Sequence, residues 1–148
     1  FPVGAGRSAA TGTLVLLMYM LDTNICIYVL NRRSRQLRHK FKAVKELCIS
    51  SVTYAELCFG VENGPAALKG PRWDQLQGFA SRLLVLPLDD QAGECYGRLR
   101  AHLRRQGAPI GNNDLFIAAH ALSLGVVLVS NNTREFSRVP DLSLENWV

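Results

Sequence analysis

The chain has 148 residues, the length of one ordinary domain, of which 48% are hydrophobic and 20% charged, with 12 Gly and 6 Pro. That supply of apolar side chains supports a real core and excludes a disordered chain, a collagen-like repeat and a coiled coil. The longest apolar run, residues 14–21, is far shorter than the roughly 20 residues a membrane-spanning helix requires. Seventeen Lys and Arg against twelve Asp and Glu leave a formal charge of +5, a balance that favours polyanionic partners without proving one. Cys26, Cys48, Cys58 and Cys95 sit in apolar segments with no CxxC spacing. They are expected to be reduced, buried thiols rather than a disulfide framework or a zinc site.

In chain order, residues 1–13 form a Gly/Ala/Ser/Thr stretch of linker type. Residues 1–17 are therefore expected to be an extension or tag-like segment, with one domain over 18–148. Gly4, Gly6 and Ala9 match the dinucleotide fingerprint G-x-G-x-x-A, yet only three residues precede it where a strand is needed, so the match is taken as chance. Residues 14–21 predict a strand buried on both faces, ending at Asp22. Thr23–Leu30 predicts a short helix, and 31–45 is a strongly basic stretch. A second strand is expected over 48–52. It runs into Thr53-Tyr54-Ala55-Glu56, whose capping-box pattern predicts a helix to about Val61. Residues 62–70 look turn-like, and 71–81 a further helix. A third strand over 83–88 precedes a helix over 89–106 that stops at Gly107. Gly111-Asn112-Asn113 introduces a helix over 114–124, halted by Gly125. A fourth strand follows over 126–130, and a fifth, at one edge, over 142–147.

Strands alternating with helices imply a parallel α/β sheet, in which ligands gather outside the carboxyl ends of the strands. Asp22, Glu56 and Asp114 occupy such positions, and Asn132 follows the fourth strand. Each acid has a structural explanation of its own: Asp22 as a helix cap, Glu56 as the capping-box partner of Thr53, Asp114 as a complement to a helix dipole. Together on one rim they would repel one another unless a cation neutralised them, and oxygen ligands suit Mg²⁺ or Mn²⁺. Position alone leaves Asp89 and Asp90, after the third strand, equally eligible.

Four runs in order carry a family resemblance: Tyr19-Met20-Leu21-Asp22-Thr23-Asn24; Ile49 to Leu57 (ISSVTYAEL); Ile110 to Ala121 (IGNNDLFIAAHA); and Leu128 to Phe136 (LVSNNTREF), continuing to Glu145-Asn146-Trp147. In this order they closely resemble the PIN-domain toxins of the VapC type, from about Met18 to the C-terminus. The resemblance implies a PIN fold: an α/β domain with a mainly parallel twisted β-sheet flanked by α-helices on both faces. It also implies a Mg²⁺- or Mn²⁺-dependent endoribonuclease acting as a toxin, a homodimer, and a cognate VapB-type antitoxin. Promoter DNA would be reached only through that antitoxin, in the bacterial cytoplasm and with no membrane involved. Asp22, Glu56 and Asp114 take the metal-binding and catalytic roles. Asn132 stands where the family often has a fourth acid; its carbonyl could hold a metal-bound water, while its lack of charge argues against a second tightly held metal. Asp89 and Asp90 match no family position and revert to helix-start residues.

Hydrolysis by metal-activated water needs no ribose 2′-hydroxyl, and the scattered His39, His102 and His120 offer no acid–base pair. The expected substrate is RNA, with transfer RNA favoured and the initiator anticodon loop one candidate. Arg32, Arg33, Arg35, Arg38, Lys40, Lys42 and Lys45 crowd one segment and are the expected substrate-binding residues, since counterion release rewards such a cluster. A solvated basic helix and an antitoxin-docking surface are the competing readings of that segment. Arg98, Arg100, Arg104 and Arg105 are a candidate second edge of the RNA path. Two other functions remain open: a non-catalytic RNA- or antitoxin-binding module, and a haloacid-dehalogenase-like phosphatase, in which Asn24 would leave the general acid missing.

Overall fold

The computed structural model describes residues 17–148. The expectations for 1–16, including the chance dinucleotide match, lie outside the described residues. The elements are β1 (Tyr19–Leu21), α1 (Thr23–Leu30), α2 (Arg35–Ala43), β2 (Leu47–Ser50) and α3 (Ser51–Glu62). A single tight turn (Ala66–Leu68) then leads to α4 (Lys69–Ala80), β3 (Leu84–Leu86), α5 (Asp90–Arg105) and α6 (Asn112–Leu124). The chain closes with β4 (Val127–Val129), α7 (Thr133–Phe136) and β5 (Leu144–Glu145). The five strands form one sheet in the order β3-β2-β1-β4-β5, every pair parallel.

Alternation along each strand explains why the strands carry unbroken apolar runs. Met20, Cys48 and Leu128 point to one face, where they meet α5, α6, Phe136 and Val139. Leu21, Ile49 and Val129 point to the other, against α1 to α4 and Trp147. Both faces of the central strands β1, β2 and β4 are therefore buried, while the edge strand β3 leaves Leu84 and Val85 exposed. Cys26, Cys48 and Cys95 are buried, Cys58 is half-buried, and all four thiols are free.

Three expectations shift. The basic stretch contains a helix, α2, because Ser34 caps it by accepting from Leu37 N–H (3.1 Å), and Leu37 and Phe41, one turn apart, anchor it. Helix α3 begins at Ser51 and its cap is Ser50, whose hydroxyl accepts from Val52 N–H (3.1 Å). Thr53 and Glu56 are thus interior residues of α3, and their i,i+3 spacing turns them to one side of the helix instead of forming a capping box. Helix α7 has only four residues, too few for a periodic pattern to reveal.

The Ser50 hydroxyl makes a second bond, to Nδ1 of the buried His120 on α6 (2.8 Å). The same oxygen accepts from the Val52 amide, and a neutral imidazole can meet it either as donor or as acceptor. Burial favours the neutral form and lowers the ring's pKa, while Asp89 opposes the shift. Replacing Ser50 with Ala removes a helix cap and leaves a buried ring nitrogen unpaired. The expected cost is about 2 kcal/mol, measured as a lower urea midpoint with an unchanged slope.

Candidate active site

The strand order reverses at β1: the chain moves outward through β2 and β3, then returns to β4 on the other side of β1. A crevice opens where the two directions diverge, beyond the carboxyl ends of β1 and β4. Register aligns Leu21 with Val129, so the next residues, Asp22 and Ser130, emerge side by side. The Ser130 hydroxyl donates a short hydrogen bond to Asp22 Oδ2, and Oδ1 accepts from Ile25 N–H (2.9 Å) as the cap of α1. Asp22 is only 2% exposed, so both carboxylate oxygens are engaged where water cannot serve them. Burial pushes its pKa up, the Ser130 and Ile25 bonds pull it down, and the Glu56 charge adds to the rise.

Thr23, the next residue, bridges to α3. Its hydroxyl donates to Glu56 Oε1 (2.7 Å) and lies 3.3 Å from the Thr53 hydroxyl. On the far wall, Asp114 sits in the first turn of α6. Glu56 and Asp114 line one cleft of about 870 Å³ with Thr23, Asn24, Asn113 and an apolar rim that includes Phe59 and Phe116. Asp89 caps α5 instead, accepting from Ala92 N–H (2.9 Å).

Asn132 fills the fourth quadrant. Its amide nitrogen, rather than its carbonyl, faces the acids, 3.4 Å from Asp114 Oδ2 and 3.1 Å from Glu135 Oε2, because carboxylates attract donors. Glu135 on α7 is the acid that sequence reasoning passed over, and its spacing of three from Asn132 was the available signal. Asp114 consequently carries a pKa of about 6, raised by burial first, then by the charges of Asp22, Glu135 and Glu56 and by a hydrogen bond shared with Glu135. Four carboxylates thus feel one another.

They do not close into a cage. Among the described residues no three His, Cys, Asp or Glu side chains are drawn together closely enough to hold an ion as they stand. Thr23 holds Glu56, Ser130 and Ile25 hold Asp22, and Asn132 stands between Asp114 and Glu135. The donor set is nonetheless all oxygen and mutually repulsive, which fits a hard divalent cation.

The basic stretch is placed elsewhere. None of Arg32, Arg33, Arg35, Arg38, Lys40 or Lys42 lines the acid cleft. Arg33 lies over the Tyr28 ring (5.7 Å) and Lys40 over Trp147 (5.8 Å). Arg72 on α4 shares with Glu56 an adjoining groove between α1, α3 and α4.

Charge crowding has a thermodynamic sign. Asp114 binds its proton more tightly folded (about 6) than unfolded (3.8), so the metal-free chain loses stability as pH rises through that interval. Asp114→Asn removes the effect. Measured in EDTA at neutral pH, it is expected to raise stability by about 1 kcal/mol, a figure reduced for solvent screening of a half-buried group. The parent-minus-variant difference is expected to vanish near pH 4.

Residues 19–142 match the PIN domain family. A tRNA(fMet)-specific endonuclease VapC from Salmonella typhimurium is 42% identical over 133 residues, covering 89% of this chain and 99% of that protein. Ribonuclease VapC2 from Haemophilus influenzae is 44% identical over 134 residues, covering 90% and 100%. Among solved structures, VapBC2 from Rickettsia felis bound to a DNA fragment from its promoter superposes with a TM-score of 0.84 at 38% identity, covering 89% of this chain and 100% of that one. DNA-bound VapBC from Salmonella typhimurium gives 0.85 at 42%, covering 90% and 100%. PIN-domain ribonucleases generally use a divalent metal. The chain belongs to the PIN-domain family, among its VapC ribonucleases.

Proposed function

We propose that this chain is the toxin of a VapBC-type module, a metal-dependent endoribonuclease that hydrolyses an RNA phosphodiester at the acid cleft. The observation that carries this reading is the convergence of Asp22, Glu56, Asp114 and Glu135 at the strand crossover, where burial first and then the neighbouring charges raise Asp114 to about 6. Asp22, Glu56 and Asp114 would hold the ion, with Glu135 as a fourth acid, and oxygen donors favour Mg²⁺ or Mn²⁺. A divalent ion in such a site lowers the pKa of the attacking water and neutralises charge that develops on the phosphate. The chain's own groups prepare the site. Ser130 and the α1 N-terminus keep Asp22 oriented and oppose the rise that burial imposes on its pKa, Thr23 holds Glu56 on the shared wall, and Asn132 bonds both Asp114 and Glu135.

Relatives from Salmonella typhimurium and Shigella flexneri named tRNA(fMet)-specific endonucleases support transfer RNA as substrate, with the initiator as the leading candidate. VapBC complexes among the structural neighbours, two of them DNA-bound, support a VapB-type antitoxin that sequesters the toxin and carries it to promoter DNA. In this reading the toxin is a homodimer in the bacterial cytoplasm; among the described residues no helix is long and apolar enough to cross a membrane.

Glu135 weakens the non-catalytic alternative, whose best support was the missing charge at Asn132. The phosphatase alternative lacks its general acid, because Asn24 stands where that chemistry needs an Asp.

EDTA is expected to stop cleavage of transfer RNA by the isolated chain and Mn²⁺ to restore it. Asp22→Asn, Glu56→Gln and Asp114→Asn should each slow it by ~10²–10³-fold with the circular dichroism spectrum unchanged. Asn132→Ala should cost about tenfold. Parent-like cleavage by Asp22→Asn would sink the assignment.

A further inference from the structure

On the other side of the first turn of α6 from the acid cleft lies a cavity of about 490 Å³. Leu103, Ile110 and Leu115 supply its apolar surface, and Arg100, Arg104 and Asn112 its polar groups; none of its lining residues is acidic. Among the described residues the ion pair found is Glu62 with Lys69, so no carboxylate neutralises Arg100 or Arg104. Two exposed guanidiniums at i,i+4 on α5 therefore flank the cavity with uncompensated charge.

One of them is held in place. Arg100 donates to the Tyr96 hydroxyl (3.0 Å) and stands 5.9 Å from that ring's centre. Tyr96 in turn donates to Asn112 Oδ1 (2.9 Å) and stacks on Phe116 with ring centres 4.0 Å apart and planes 9° from parallel. Phe116 lines the acid cleft, so this chain of contacts ties the cavity to the site across one helix width, about 10 Å. Helix α6 adds a further attraction. Its N-cap is Gly111, which offers no side-chain acceptor, so its first amides remain available to an anion.

We infer that Arg100, Arg104 and Asn112 form a phosphate subsite for the RNA strand, seating a phosphate that neighbours the one at the acid cleft. This rests on the ribonuclease reading and assigns the substrate grip to the α5–α6 face instead of the basic α2. Arginine suits the task, because its planar fork spans two phosphate oxygens and does not titrate. The apolar surface of the cavity can lie against a sugar. The site recognises a backbone and not a base, so it orients any strand with respect to the acids and carries no sequence information.

The test compares the parent, Arg100→Ala/Arg104→Ala, the corresponding double Lys variant, and Arg35→Ala/Lys42→Ala. Binding of unfractionated bacterial transfer RNA is measured in EDTA over a salt series, and cleavage in Mn²⁺ is measured separately. The double Ala variant is expected to bind about tenfold more weakly, with a salt slope shallower by about 0.7, the value for one phosphate of a single strand. Its KM should rise while its kcat stays within about twofold, and the double Lys variant should recover part of the lost affinity. Unchanged RNA affinity, or a larger loss from the α2 variant, would overturn the inference. So would unchanged RNA binding with weakened binding of the antitoxin, which would make the face a protein-docking surface. If the parent itself cleaves no RNA, the ribonuclease reading fails while the binding comparison still judges the cavity.

Discussion

The molecule is organised around one buried carboxylate. Asp22 must leave water at the carboxyl end of β1, and an ionised carboxylate without partners there would cost several kcal/mol. Two bonds make its burial tolerable: the Ile25 amide at the start of α1 and the Ser130 hydroxyl at the end of β4. Ser130 is itself fixed, since its oxygen accepts from Asn132 N–H (2.9 Å). This small network locks β1, β4 and the N-terminus of α1 together at the strand crossover. Thr23 then extends it to Glu56 on α3, and Asn132 to Asp114 on α6 and Glu135 on α7.

The consequence is a site built against its own charge. Packing of both sheet faces brings the acids within electrostatic range of one another, and hydrophobic burial opposes their repulsion. Neutral donors, the Thr23 and Ser130 hydroxyls and the Asn132 amide, separate and orient the carboxylates without cancelling them. In the proposed reading a divalent cation would relieve that repulsion. Among the described residues the ion pair found joins Glu62 and Lys69, so none of these four acids is neutralised by an ion pair.

Much of the architecture was legible in the residues. Thr23–Leu30 is predicted and found as α1, Gly125 closes α6 in the left-handed conformation, and Asp89 caps α5. Continuous apolar strands announced a sheet buried on both faces. What misled was local chemistry that tertiary structure overrode. Thr53 and Glu56 imitate a capping box, but β2 ends at Ser50 and the helix starts there. The density of charge over 31–45 left a basic helix as one of several readings of that segment, and α2 anchored by Leu37 and Phe41 is what forms. Glu135 was hidden in a helix of four residues, where no periodicity can be read.

By itself, then, the order of residue types determined the class of fold, the strand-end position of Asp22, the helix-start position of Asp114, and an oxygen-only set of candidate ligands. Those are local properties, set by the alternation of apolar positions and the chemistry of each side chain. Which acids meet was decided only in three dimensions. The parallel register that aligns Leu21 with Val129 places Ser130 against Asp22, and the return of the chain through α7 brings Glu135 to Asp114. Such contacts join residues as many as 108 positions apart, and no pattern within a few turns of chain encodes a distance of that kind.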